Sequence, residues 1–430
     1  MSENAVPPPT ASLWRNRDYM SWWTSETVSA VGTSMSTIAF PLVVLYADGS
    51  AAHAGLIAAT GMVGLLLTTL WGGALADRVS RRALMLVGPL LQALAMAAAA
   101  LLIHGHHTDV ALLAATAGVG GLAAGVAKGA TTPALRRIVP KEQLSQATGQ
   151  ELGRDMVAEL IGAPLGGVLF SVARWFPFAA DAVSFVVAAL GAASIRRPLG
   201  PDRSDEARAG VLSDIREGFR YVRRQPFLRF VVVWASLLNM LAQAFVLVFI
   251  ALVRHRGGGP IAVGTVNSIA LIGGVAGSVL GPLLQSKVRA TTVLRAGIWG
   301  FAASFAVVAV VPSWWEIGVV LAFAMVAVVP LNVIVETYVV RLVPDALSGR
   351  VSAVNRFGAQ GLAWIGPLLA GGLASGLGAP DAALALACLT VPLALAVHLT
   401  RSLGVLDRPA DELDELPGPL VEEQSLVASE

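Results

Sequence analysis

Long apolar runs separated by short polar joints fill most of the chain. Runs of roughly 18 to 25 apolar residues are what a helix needs to cross a hydrocarbon layer about 30 Å thick. Read this way, the chain has twelve spans. The first six lie at about 19–46, 55–76, 83–104, 109–131, 146–172 and 176–195, the second six at about 227–253, 261–285, 291–311, 314–340, 350–377 and 380–400. In hydrocarbon each backbone N–H and C=O must find a partner within its own segment, which makes the spans helical. The expected fold class is an all-α membrane protein with twelve transmembrane helices as two six-helix bundles.

The spans divide the chain into an N-terminal bundle, 1–195, a cytoplasmic linker, 196–226, a second bundle, 227–400, and a tail, 401–430. Pro198 to Arg208 reads as disordered linker. From Leu212 to Val222 the residues Leu212, Ile215, Phe219 and Val222 share one helical face opposite charges, the pattern of an amphipathic helix on a membrane surface. The tail carries Asp411, Glu412, Asp414, Glu415, Glu422 and Glu423 with three prolines, and reads as disordered and acidic. The halves also repeat. Arg137-Ile138-Val139-Pro140 recurs as Arg341-Leu342-Val343-Pro344, and Gly162-Ala163-Pro164-Leu165-Gly166-Gly167 recurs as Gly366-Pro367-Leu368-Leu369-Ala370-Gly371-Gly372. Both pairs have nearly the same offset and hold matching places in the span order. Two parallel six-span repeats with a site between them is the plan of rocker-type transporters.

Composition agrees with the pattern. Of 430 residues 55% are hydrophobic and 13% charged, against about 25% charged in soluble domains. The net charge of +2 says little, but its placement says more. With both termini cytoplasmic, 25 of the 30 basic residues fall in cytoplasmic segments and 3 outside, a bias that fixes the expected orientation. Arginine outnumbers lysine 27 to 3 with alanine and glycine abundant, as in a GC-rich bacterial gene, so the expected location is a bacterial cytoplasmic membrane. The first twenty residues lack an apolar core, and no cleavable signal peptide is expected. One cysteine, Cys388, excludes an internal disulfide and a cysteine-based metal site.

Between the second and third spans stands Gly73-x-x-x-Asp77-Arg78-x-x-Arg81-Arg82. This loop resembles the signature of the major facilitator superfamily of secondary transporters, with Ser80 where the signature usually has glycine. Three further segments are similar to the enterobactin-exporter and macrolide-efflux branch of that superfamily: the helix from Ser213 to Pro226, Asp181-Ala182-Val183-Ser184-Phe185, and Val343-Pro344-Asp345 with Gly349-Arg350-Val351. The resemblance implies export of siderophores, macrolides or other amphiphiles, driven in several members by protons. It also implies that Asp77 sits at the start of the eleventh span near Ser348, where a carboxylate at a helix N-terminus gains about 0.3–1 kcal/mol. Gly73, Asp77, Arg78, Arg81 and Arg82 would then form a conformational latch. The basic motif of many proton antiporters is absent from the fourth span, and Gln285 stands where an acid would repeat Asp77.

Ionisable groups within spans are expensive and default to function. Glu26 shares a face with Ser29, Thr33 and Ser36, which points a polar stripe at a cavity or anchors an interface. Glu151, Asp155 and Glu159 repeat every four residues beside Arg154. Such a set carries protons, with Asp155 and Glu159 the candidates, or gates the cytoplasmic end as ion pairs. Glu336 and Arg356, at comparable depth, read as a gate pair, with substrate or proton contact the alternative. Asn239, Gln243 and Asn332 are candidates for contact with a polar feature of substrate, and Asn239 and Gln243 serve equally as glue between helices. Asp181 reads as local structure. Gly162 to Gly167 reads as a packing hinge, and His104, His106, His107 and Asp109 as ordinary loop polarity rather than a metal site. There is no ATP-binding Gly-x-x-x-x-Gly-Lys motif.

The reading is a proton-coupled exporter of a small amphiphile by alternating access, not an enzyme, with no cofactor. Its partners are the small-molecule substrate, protons and membrane lipids; it is read as a monomer that binds no nucleic acid. The alternatives are an uptake carrier or facilitator of the same fold, or a non-transporting membrane receptor or accessory protein.

Overall fold

The computed structural model describes residues 12–197 and 211–407, apart from the side chains of 70–78, 132, 211–215, 282, 284–286, 340, 345–346 and 348. The described part of the first half is built from α1 (Arg17–Ala47), α2 (Ala51–Arg78), α3 (Arg81–His104), α4 (Val110–Ile138), α5 (Leu144–Val172) and α6 (Phe176–Ser194). A connecting helix, α7 (Val211–Arg224), leads to α8 (Pro226–His255), α9 (Pro260–Lys287), α10 (Ala290–Val310) and α11 (Trp314–Leu342). The chain closes with α12 (Asp345–Gln360), α13 (Ile365–Leu377) and α14 (Ala379–Leu399). Among the described residues twelve segments are long and apolar enough to cross a bilayer. The helices run up and down between a terminal face, which carries residues 12 and 407, and a far face.

The eleventh span departs from the single helix that its apolar run predicts. It breaks at Gly361–Trp364 into α12 and α13. Pro41, Pro164 and Pro330 sit inside unbroken helices, so proline alone does not break a span here. At the break, Pro367 cannot donate to the carbonyl four residues back, and Gly361 adds backbone freedom just before it. A neighbour satisfies part of the freed backbone: the Asn239 amide donates to the Ala359 carbonyl at 3.2 Å and to Ala235 of its own helix at 2.9 Å.

The connecting helix also differs from expectation. Tyr221 and Val222 are buried against the second bundle, while Phe219 is 59% exposed. Its Glu217 carboxylate pairs with Arg350 at 2.5 Å, and the Tyr221 hydroxyl donates to Leu342 at 3.2 Å. Thus α7 packs on α12 and α8 as part of the second half rather than laying its whole apolar face on lipid. The stretch 198–210, the acidic tail and the side chains of Leu212 and Ile215 lie outside the described residues.

Without a hydrophobic force between helices in lipid, association depends on close packing of small residues. The two halves meet this way at the far face, through α5 on α9 and α13 on α2. A side chain at Gly264 of α9 would collide with the Ala163 carbonyl of α5, and one at Gly371 of α13 with the Ala51 carbonyl of α2. Hydrogen bonds follow the contact: Ser268 to the Leu160 carbonyl at 2.8 Å, the Ala52 N–H to Ser375 Oγ at 3.0 Å, and Tyr46 to Gly258 at 3.3 Å. The Arg254 guanidinium lies 5.1 Å from the Tyr46 ring. Beside this seal Asp48 takes a 2.6 Å contact from the His53 ring. Burial alone would raise the Asp48 carboxyl, but the His53 contact and the Ser50 N–H hold it below its usual value. Toward the terminal face the surfaces that face the other half are open, with Leu152, Asp155, Asn332, Glu336 and Arg356 exposed.

In a background with Cys388 replaced by serine, the A52C/S375C pair is expected to crosslink under mild oxidation. G371V is expected to reduce that crosslinking, because the added side chain meets the Ala51 carbonyl and wedges α13 from α2; an unchanged yield would contradict the close approach.

Candidate functional site

Helix α1 organises the first half. Gly32 lets it approach α6 so closely that a Cβ there would fall 2.7 Å from Asp181 Oδ1. Gly162 of α5 meets Ser34 of α1 in the same manner. What remains between α1, α2, α3, α4 and α6 is a cavity of about 310 Å³, closed on the other side by Gln243 and Leu247 of α8 and Pro367 of α13. Its wall is mostly apolar, from side chains such as Phe40, Met62, Met96 and Phe185. Six polar side chains punctuate it: Thr33, Ser36, Thr37, Gln92, Asp181 and Gln243.

Asp181 is 1% exposed. The Ser36 hydroxyl donates to its Oδ2 at 2.6 Å and the Ser184 hydroxyl to its Oδ1 at 3.1 Å. No cation among the described residues pairs with it. The sequence pattern treats Asp181 as local structure; the fold makes it the carboxylate on the cavity wall. A run of apolar neighbours at Ala179, Ala180 and Ala182 gives no hint of this. The signal was available only in combination: an acid in the sixth span and a hydroxyl stripe on the first.

A second cavity, of about 380 Å³, lies within the other half between α8, α10, α11 and α12. Asn239, Asn332, Glu336, Asn355 and Arg356 line it together with Trp234 and Phe301. The expected Glu336–Arg356 ion pair is not formed: the two side chains share the cavity, both exposed, with no contact within ion-pair distance. They project from helices at the open terminal side, where nothing draws them together in this state. Asn239 is committed to the broken span, whereas Gln243, one turn along α8, faces the first cavity. Asn355 Oδ1 is buried without a partner and was not foreseen.

The charged set of α5 gathers near the terminal mouth. Arg154, 8% exposed, binds Asp155 Oδ1 through Nε at 2.9 Å and Nη2 at 2.8 Å, lies 3.9 Å from Glu151, and sits over the Trp22 ring at 5.4 Å. Glu26 of α1 is within electrostatic reach of Arg154, Glu151 and Asp155. Asp155 is therefore neutralised by its neighbour. Glu159, one turn further on, is exposed, borders neither cavity, and lies between the contacts of α5 with α1 and with α9. Of the loop signature, Arg81 is buried and Arg82 donates to the Ala193 carbonyl at the end of α6. The side chains at Gly73, Asp77 and Arg78, and Ser348 opposite, lie outside the described residues. In the far loop Asp109 caps α4 by accepting from the Ala111 N–H at 2.8 Å, and His104 packs edge-on to Trp175.

Two bundles, a cavity between them and, among the described residues, a seal at the far face make a chain built for alternating access. A family model described as transmembrane secretion effector matches residues 9–428. The chain belongs to that family. Among its relatives, the multidrug efflux pump Tap of Mycolicibacterium fortuitum is 29% identical over 362 residues, covering 81% of this chain and 87% of that protein. Multidrug efflux pump Tap of Mycobacterium tuberculosis (strain ATCC 25618 / H37Rv) is 28% identical over 380 residues, covering 84% and 88%. Solved structures share the fold of this secretion effector family member at low identity. A bacterial homologue of the human lysosomal transporter Spinster, inward-facing and occupied, has a TM-score of 0.71 at 14% identity and covers 93% of this chain and 99% of its own. The nucleoside transporter NupG has a TM-score of 0.68 at 14% identity, covering 89% and 98%. The protein is thus a multi-pass membrane transporter of the major facilitator fold.

Arg154→Gln is expected to lower stability in detergent by about 1 kcal/mol, since the half-exposed Asp155 is partly screened by solvent. Adding Asp155→Asn should restore part of the loss, which a double-mutant cycle of thermal unfolding measures. Asn239→Ala is expected to cost about 1 kcal/mol by freeing the Ala359 carbonyl at the broken span, measured in the same way.

Proposed function

We propose that the protein exports a small amphiphilic molecule from the cytoplasm in exchange for protons. The observation that carries this is the first cavity: a mostly apolar chamber on the interface of the halves, with a few polar groups, which fits a cargo with an apolar body and isolated polar features. The multidrug efflux pumps among its relatives support the direction of transport.

In this reading both termini face the cytoplasm, in line with the arginine bias, and the far seal faces outward. The state described is then inward-facing. Cargo enters from the terminal side, and a rocking motion parts α5 from α9 and α13 from α2 while the terminal face closes. Gly73, Asp77, Arg78, Arg81 and Arg82 latch that face against the start of α12. Glu336 and Arg356 come together as the same closure narrows the second cavity, and Glu26, Glu151, Arg154, Asp155 and Glu159 form the charged mouth. Asn332 and Gln243 are the polar contacts left for cargo. The cycle needs one copy of the chain, surrounded by lipid.

One proton per cycle is sufficient drive. Entry of a charge yields about 2.3 kcal/mol per 100 mV, and each unit of pH difference about 1.4 kcal/mol. Together these give about 3.7 kcal/mol and sustain a concentration ratio of roughly four hundred, where every 1.4 kcal/mol is tenfold.

Cells that make the protein are expected to accumulate less of the amphiphilic dye ethidium than cells that lack it. A protonophore should erase the difference. Equal accumulation without the protonophore would remove the export reading, and a difference that survives it would remove the proton.

A further inference from the structure

We propose that Asp181 is the group that carries the proton, on the wall of the same cavity that takes the cargo. This rests on the proton-driven export proposed above and names the residue that performs it.

Asp155 is held by Arg154, and Glu151 lies near the same guanidinium, so neither is a free carboxylate. Glu159 borders neither cavity. Asp181 is buried at 1% exposure, borders the first cavity, and receives hydroxyl donors from Ser36 and Ser184 in place of a countercharge. From α1 it faces Gly32 and Ser36, and from its own helix Ser184. Among the described residues no titratable or charged side chain of α1, α3 or α5 acts on it. A carboxylate without a cation in an apolar setting is stable there only in company with a proton or a compensating ligand. Hydroxyls suit both forms, since Ser36 and Ser184 donate to the anion and can accept from the acid.

A route joins this group to the terminal mouth. Along α1, Glu26, Ser29, Thr33 and Ser36 fall on one face; Thr33 and Ser36 line the cavity and Ser29 is buried. From Glu26 to Ser36, ten residues of helix span about 15 Å. In the outward state water delivers a proton to the Asp181 carboxylate. In the state described here the carboxyl O–H gives that proton to water along the polar row, and the anion is restored. No bond other than O–H forms or breaks.

The test uses purified full-length protein in liposomes with ethidium as probe. Exchange of labelled for unlabelled dye without any gradient reports folding and cargo binding; accumulation driven by a pH difference reports coupling. Wild type is expected to do both. D181N is expected to exchange dye, yet accumulate none beyond protein-free liposomes. S36A, which keeps the carboxyl and removes one donor, is expected to accumulate dye with a displaced pH profile. If wild type exchanges but does not respond to the pH difference, proton coupling itself is wrong. If wild type responds and D181N accumulates equally well, coupling stands and Asp181 is the wrong residue. If D181N loses both activities, S36A decides: an unmoved pH profile overturns the assignment.

Discussion

Contact between backbones at the far face is the constraint on which the rest depends. In water, two bundles of this size would be driven together by their apolar surfaces. In lipid they are held only by how closely they fit. The chain solves this with the same sequence twice. Ala163 and Gly167 of α5 meet the start of α9, and Pro367 and Gly371 of α13 meet the start of α2. These contacts use carbonyls and glycine α-carbons, reinforced by the hydrogen bonds of Ser268, Ser375 and Tyr46, so they are tight when formed and leave a few polar groups to water when parted. A seal of that kind can open without a large energetic debt, which a carrier needs and a static scaffold does not.

The same economy of contact shapes the interior. Gly32 and Gly162 bring α1 against α6 and α5, which leaves the cavity to one side and sets Asp181 against Ser36. Polar groups are sparse here and each has a defined setting. Arg154 is boxed by Trp22, Asp155 and Glu151; Asn239 is tied to the carbonyl freed by the broken span. The second half holds its polar groups less tightly, with Glu336 and Arg356 apart in an open chamber. One half therefore carries a preset pocket and the other a set of groups that have yet to meet.

Much of the fold was legible because hydrocarbon permits so few solutions. Length and apolarity placed all twelve spans, and the Gly-Pro repeat at residues 162 and 366 marked the pieces that meet across the interface. The site was less legible, for a physical reason. A cavity is the space left between side chains of several helices, and its position depends on their rotations, which periodicity leaves loose in a chain apolar on every side. Asp181 looked like local structure because its partner Ser36 is 145 residues away. The pairing of Glu336 with Arg356 failed for the converse reason: equal depth does not bring two helices together in every state. The break at Gly361 was hidden because 349–377 passes as one span on length and average apolarity, although its first part, α12, is polar and only α13 is apolar.

That break makes the two halves mechanically unlike. The first half presents α5 to the seal as an uninterrupted rod, whereas the second presents α13, a stub of 13 residues joined to α12 by a short turn at 361–364. A rod must swing as a whole, carrying its charged inner end with it, but a stub can peel away while the rest of its span stays seated. The two sides of the seal should thus differ in stiffness, and the α2–α13 side is the one that yields first.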